Sequence, residues 1–294
     1  MAPSSPMRVL KKCASSGGLP ANLTEAEKER NMQAQLDLVD ANIASLMKGA
    51  EGVLASACEW NFDAFELARV TRDHPLQVLG MHLMQMYGCI ETLGLDQKRL
   101  AMFLRLIEEG MPSSNPYHNA IHCADVLQSM SVLIVKGGMG EYMTPVEILA
   151  ALVGAVVHDF EHLGVNNDLL VKMGHDWAIE YNDRAPNENH HLSSAFRLLR
   201  RTECDFLAAL PKPVQQYVRK LILDMVMATD MGEHHRIVNL INSDLLARIE
   251  KAKAASPRTE SPKPIGGTLA ARHYRAGEQH VHAQMMDWAP DHRK

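Results

Sequence analysis

Apolar residues recur along most of the chain at spacings of three and four, and strict apolar–polar alternation is rare, so the pattern predicts helices throughout. Thr24 and Glu27 form a capping box opening a helix that Gly49 closes. Along it Met32, Leu36, Val39, Ile43 and Leu46 make a short heptad seam, suited to packing on the rest of the chain or on a second copy. Leu100, Phe103, Leu104 and Ile107 give one apolar face, with Gly110 and Pro112 ending that helix. Thr144-Pro145-Val146-Glu147 is a second capping box. The helix it starts, ILAALVGAVV, is apolar nearly all round and therefore belongs inside a core. Its end delivers His158 and Asp159, a polar pair that needs a partner or a metal there. Tyr217, Val218, Leu221, Ile222 and Met225 mark a further amphipathic helix.

After about Lys251 the pattern stops: AKAASPRTESPKPIGG is rich in Pro, Ser, Ala and charge and reads as a disordered tail. The chain thus divides into residues 1–55, a tail and seam-bearing helix; 56–250, a helical domain; and 251–294, a low-complexity segment. A chain of 294 residues with 46% hydrophobic content carries one sizeable core. Net charge is −5, with no basic stripe to suit nucleic acid. No apolar run approaches the ~20 residues of a membrane span, and no secretory signal is visible, so the expected location is cytoplasmic. The five cysteines are scattered and never paired as C-x-x-C, which fits a reducing compartment and excludes a cysteine zinc site. Fifteen histidines are many for this length, and their positions carry the chemistry.

Two segments stand out. In Tyr117-His118-Asn119-Ala120-Ile121-His122-Cys123-Ala124-Asp125, a helix would place His118, His122 and Asp125 along one face. His158-Asp159-Phe160-Glu161-His162 closes the buried helix, and there adjacent His and Asp side chains can reach one ion, with Asp159 able to bridge two. Imidazole with carboxylate suits zinc, iron or manganese, and carboxylate with water suits magnesium or manganese. A single HxxxH or His-Asp pair is usually core or surface; together the two segments supply a donor set for metal-assisted hydrolysis, with a spare histidine to protonate a leaving alkoxide.

YHNAIHCADVLQ resembles the H-N-x-x-H-x-x-D signature of class I cyclic-nucleotide phosphodiesterases, and HDFEHLGVNN is similar to their second segment. EYND, ENHHL and ILDMVMATDM follow in the family's order, so the resemblance runs from about Trp60 to Arg248. It implies an all-α helical bundle of the HD-superfamily type that hydrolyses cyclic AMP or cyclic GMP in signal transduction. His118 would be the general acid. His122, His158 and Asp159 would hold the first of two divalent metals, usually zinc, with Asp159 reaching the second, usually magnesium or manganese. His162, Asn167, Glu188 and Thr229 would form the shell of bound water, and Tyr117 would line the pocket. Leu163 and Glu161 depart mildly from the family's proline and aspartate. The family's later ligand aspartate and purine-clamping glutamine have no clear match after Arg248, Asp287 being the nearest stand-in. The expectation is therefore a catalytic domain with its final helices missing. Two other readings fit the scaffold: another HD-superfamily phosphohydrolase, and a non-catalytic interaction protein that pairs with a second copy through the Met32–Leu46 helix.

Overall fold

The computed structural model describes residues 24–248 and Lys251, and among them there are helices and turns and no strand. The expected tail, apart from Lys251, and the stand-in Asp287 lie outside the described residues. In chain order the helices are α1 (Glu25–Gly49), α2 (Glu51–Leu54), α3 (Ala64–Val70), α4 (Pro75–Met86), α5 (Cys89–Leu93), α6 (Gln97–Gly110), α7 (Ala120–Val135), α8 (Pro145–Val157), α9 (Asn167–Lys172), α10 (Asp176–Glu180), α11 (Pro186–Leu199), α12 (Lys212–Met227) and α13 (His234–Leu240). The all-α bundle expected from the sequence is the fold found.

α8 is the axis of the molecule. Every residue from Leu149 to Val157 is buried, and α4, α5, α6, α7, α11 and α12 all pack on it. Its start is fixed by the Thr144–Glu147 capping box, with Pro145 at the first turn. Tyr217 of α12 donates its hydroxyl to Glu147 Oε1 at 2.8 Å and so ties the two helices at that end. The opposite end of α8 leads into the polar segment that begins at the buried His158.

The seam residues of α1 pack within the chain. Leu36, Val39 and Ile43 are buried, with Met32 and Leu46 partly so, against a core that includes α6. The physical reason is that α6 presents a matching apolar face, Leu100, Phe103, Leu104 and Ile107, within the same chain. Polar pairs flank the contact: Lys98 with Asp37 at 2.6 Å, and the Gln97 amide with Asp40 at 2.8 Å.

Candidate metal centre

α7 starts at Ala120, two residues after His118 opens the histidine signature. Asn119 is its N-cap, its side-chain oxygen accepting from the Ile121 and His122 amides. His118 therefore precedes the helix, and His122 sits in its first turn. Asp125, one turn further along α7, is exposed. The loop ahead of the helix is held by Asn115, whose Oδ1 accepts from the Tyr117 and His118 amides at 3.2 Å each. Its Nδ2 donates to the His162 carbonyl at 3.4 Å. Asn115 thus joins the two histidine segments, a role with no sequence signal. Gly164, at φ +77°, lies against it, where a Cβ would stand 3.2 Å from Asn115 Nδ2.

His122, His158 and Asp159 converge. Asp159 Oδ2 is 3.3 Å from His122 Nε2 and 3.4 Å from His158 Nε2, and the two nitrogens are 3.4 Å apart. His158 Nδ1 donates to the Ala155 carbonyl at 2.9 Å, so its Nε2 presents a lone pair. Burial pushes His158 towards the neutral form, against the pull of Asp159. For Asp159, burial acts upward, but the imidazoles of His122, His158, His191 and His162 outweigh it and hold the carboxyl well below its ordinary range. When His122 carries its proton on Nδ1, two imidazole lone pairs and a carboxylate face one another here, a donor set that fits a divalent metal.

A second group lies on the other side of Asp159, formed with His162 and His191. His191 donates from Nδ1 to the Phe160 carbonyl at 2.6 Å. Its Nε2 is buried without a hydrogen-bond partner, 3.9 Å from Asp159 Oδ1. Burial lowers His191 to about 3, and lowers His162 to about 4. His162 differs in tautomer. Its Nδ1 accepts from the Gly164 amide at 2.8 Å, so the proton of the neutral ring is on Nε2, which suits donation to a bound water better than ligation. His118 stacks on His162, with ring centroids 3.9 Å apart. Tyr117 is exposed and packs against both His118 and His122.

Asn167 and Glu188 meet near enough to Asp159 for its charge to act on Glu188, the amide donating to Glu188 Oε2 at 2.8 Å. Burial raises the Glu188 carboxyl, the Asn167 hydrogen bond opposing it. The Thr229 hydroxyl donates to the Val226 carbonyl one turn back at 2.7 Å. Its neighbour Asp230 approaches Asn167, with Oδ1 3.4 Å from Asn167 Nδ2. Asp230 was legible only as part of the ILDMVMATDM segment.

The sequence model of the 3′5′-cyclic nucleotide phosphodiesterase family matches residues 117–280, from Tyr117 past the Arg248 limit set by the motifs. The chain belongs to this family. Among its relatives, the probable 3′,5′-cyclic-AMP phosphodiesterase pde-4 of Caenorhabditis elegans is 37% identical over 197 residues, 67% of this chain and 28% of that protein. The mouse dual specificity calcium/calmodulin-dependent 3′,5′-cyclic nucleotide phosphodiesterase 1B is 37% identical over 200 residues, 67% of this chain and 37% of that protein. The chain therefore matches only about a third of the length of such relatives. The crystal structure of the phosphodiesterase domain of the RhoPDE fusion protein from the choanoflagellate Salpingoeca rosetta superposes with a TM-score of 0.58 at 27% identity, covering 79% of this chain and 67% of that one.

Proposed function

We propose that residues 56–250 form a metal-dependent catalytic unit that hydrolyses 3′,5′-cyclic nucleotides, cyclic AMP or cyclic GMP, to 5′-monophosphates. The observation that carries this reading is the convergence of His122 Nε2, His158 Nε2 and Asp159 Oδ2 within 3.4 Å of one another. In it these three residues hold one ion, zinc by their nitrogen-rich character, and Asp159 reaches a second, magnesium or manganese. The ions, when bound, supply an acidified water and neutralise charge on the phosphoryl oxygens. His118 gives its proton to the O3′ leaving group, its ring aligned by the stack on His162. His162, Glu188 and Asn167 orient water through donors and acceptors already fixed by their neighbours. Tyr117 offers an exposed ring beside His118 and His122, against which a nucleotide can pack. A cytoplasmic site of action accords with two features of the described residues: their four cysteines are all free thiols, and no helix among them is long and apolar enough to cross a membrane.

The test compares His118→Ala with His122→Ala for turnover of both cyclic nucleotides and for bound metal. His118→Ala should lose about 10²–10⁴-fold in turnover with its metal content unchanged. His122→Ala should lose metal and turnover together. Equal metal loss in the two variants would overturn the division of roles, and wild-type protein that binds no divalent metal would overturn the reading itself.

A further inference from the structure

The segment from His158 to His162 carries two ligands of the proposed centre and the histidine that stacks on His118, yet it is not helical. Glu161 sits in the left-handed region at φ 63°, which side chains with a Cβ disfavour. A backbone held there needs an anchor, because relaxation to an ordinary φ would rotate the peptides that join Asp159 to His162.

Two consecutive histidines of α11 supply anchors. His191 donates to the Phe160 carbonyl at 2.6 Å, and His190 Nε2 lies 2.7 Å from Glu161 Oε2. The Glu161 and His190 side chains are almost entirely removed from solvent, 13% and 9% exposed, so their pairing is little screened. His190 is itself fixed from more than one side. Trp177 of α10 stacks face to face on its ring, with centroids 3.5 Å apart and planes 16° from parallel. Ser194 Oγ, one turn along α11, is 3.2 Å from the same Nε2. The His190 carbonyl accepts from the Ser193 hydroxyl, whose oxygen is 2.6 Å from the Tyr181 hydroxyl beyond α10. Neither Glu161 nor His190 belongs to either group able to hold a metal.

We propose that the Glu161–His190 pair, locked by Trp177, is a positioning device that sets the geometry of the metal centre. It holds the left-handed residue between Asp159 and His162, so that the Asp159 carboxylate faces His122 and His158 on one side and His191 on the other. The inference rests on the reading of His122, His158 and Asp159 as metal ligands. Outer partners of this kind commonly govern metal affinity without touching the ion.

The experiment is a Mn²⁺ titration of the full chain, followed by electron paramagnetic resonance, for wild type, Glu161→Gln, Glu161→Leu and His190→Phe. Circular dichroism and thermal unfolding of the metal-free proteins accompany it. Glu161→Gln keeps the length and an acceptor for His190 and should bind Mn²⁺ nearly as wild type does. Glu161→Leu should bind about 10–100-fold more weakly while retaining the helical spectrum and a cooperative transition. His190→Phe keeps the ring on Trp177 but removes the hydrogen bond, and should weaken binding by a similar factor; if Glu161→Leu does not fold, this variant decides. Wild-type affinity in both Glu161→Leu and His190→Phe would overturn the inference and leave the metal centre standing. A Glu161→Gln variant as weak as Glu161→Leu would also overturn it, since the hydrogen bond would then not be what positions the turn. Failure of the wild-type chain to bind Mn²⁺ would remove the metal centre and this inference with it.

Discussion

At Gly110 the absence of one methyl group lets the site exist. A Cβ there would stand 2.3 Å from Cε2 of Phe160, a buried ring adjacent to Asp159. Gly110→Ala is therefore expected to cost about 1–3 kcal/mol, as overpacking usually does, and to weaken metal binding by shifting the turn that carries Asp159. Chemical denaturation and metal titration check both, and wild-type stability in this variant would mean that the ring has room to move. Glu108 is a second residue whose role depends on a distant helix. Buried on α6, it accepts from the Leu76 and Gln77 amides at 2.7 and 3.3 Å and so caps α4, whose own N-cap residue, His74, makes no side-chain capping bond. Glu108→Ala leaves those donors in a buried setting without their acceptor and should destabilise by about 1–3 kcal/mol, measured by urea unfolding. A change below a few tenths of that would show that water reaches the α4 terminus.

Among the elements, α8 has the most to lose from a poor start, because the whole core packs on it. The Thr144 amide donates to Glu147 Oε2 at 2.7 Å, and the Glu147 amide is 3.4 Å from Thr144 Oγ1. Thr144→Ala should cost about 1 kcal/mol. Glu147 adds a dependence on pH. Burial acts to raise its carboxyl, but bonds from the Thr144 amide, the Tyr217 hydroxyl and the Thr144 hydroxyl outweigh it and set the value below the ordinary 4.5. A depressed carboxyl stabilises the fold above its unfolded value and loses that contribution as pH falls through the folded one. The stability difference between wild type and Glu147→Gln should thus be full above pH 4.5 and shrink below it. A difference that stays constant from neutral pH down to pH 3 would show that the charge of Glu147 contributes nothing.

For the molecule as a whole, the fate of the α1 seam matters most. Ile43 is 1% exposed and lies in the same core as α6, so Ile43→Ala should cost about 2–5 kcal/mol. The unfolding midpoint of wild type and variant should not move with protein concentration, because Ile43 packs against its own chain. A concentration-dependent midpoint that the substitution abolishes would make the seam an interface between copies instead.

The periodicity of α6, α8 and α12 and the two capping boxes are local facts, decided by residues three and four apart, and these were legible in the chain. So was the donor set: His122, His158 and Asp159 are recognisable by type and by their place beside a buried helix, because a polar pair at such a helix end must be matched. What the chain could not reveal alone is which distant groups complete the arrangement. Asn115 bonds a carbonyl forty-seven positions away, and His190 reaches Glu161 across twenty-nine. Asp125 has the spacing of a ligand yet is exposed, and Asp230 approaches Asn167 across sixty-three positions, a contact that spacing does not encode. Which surface the buried side of the α1 seam meets was likewise decided only by α6, which presents its apolar face within the chain. Local hydrogen bonding and periodicity determine the elements; only their packing determines which side chains share a cleft, because that depends on contacts between residues far apart in sequence.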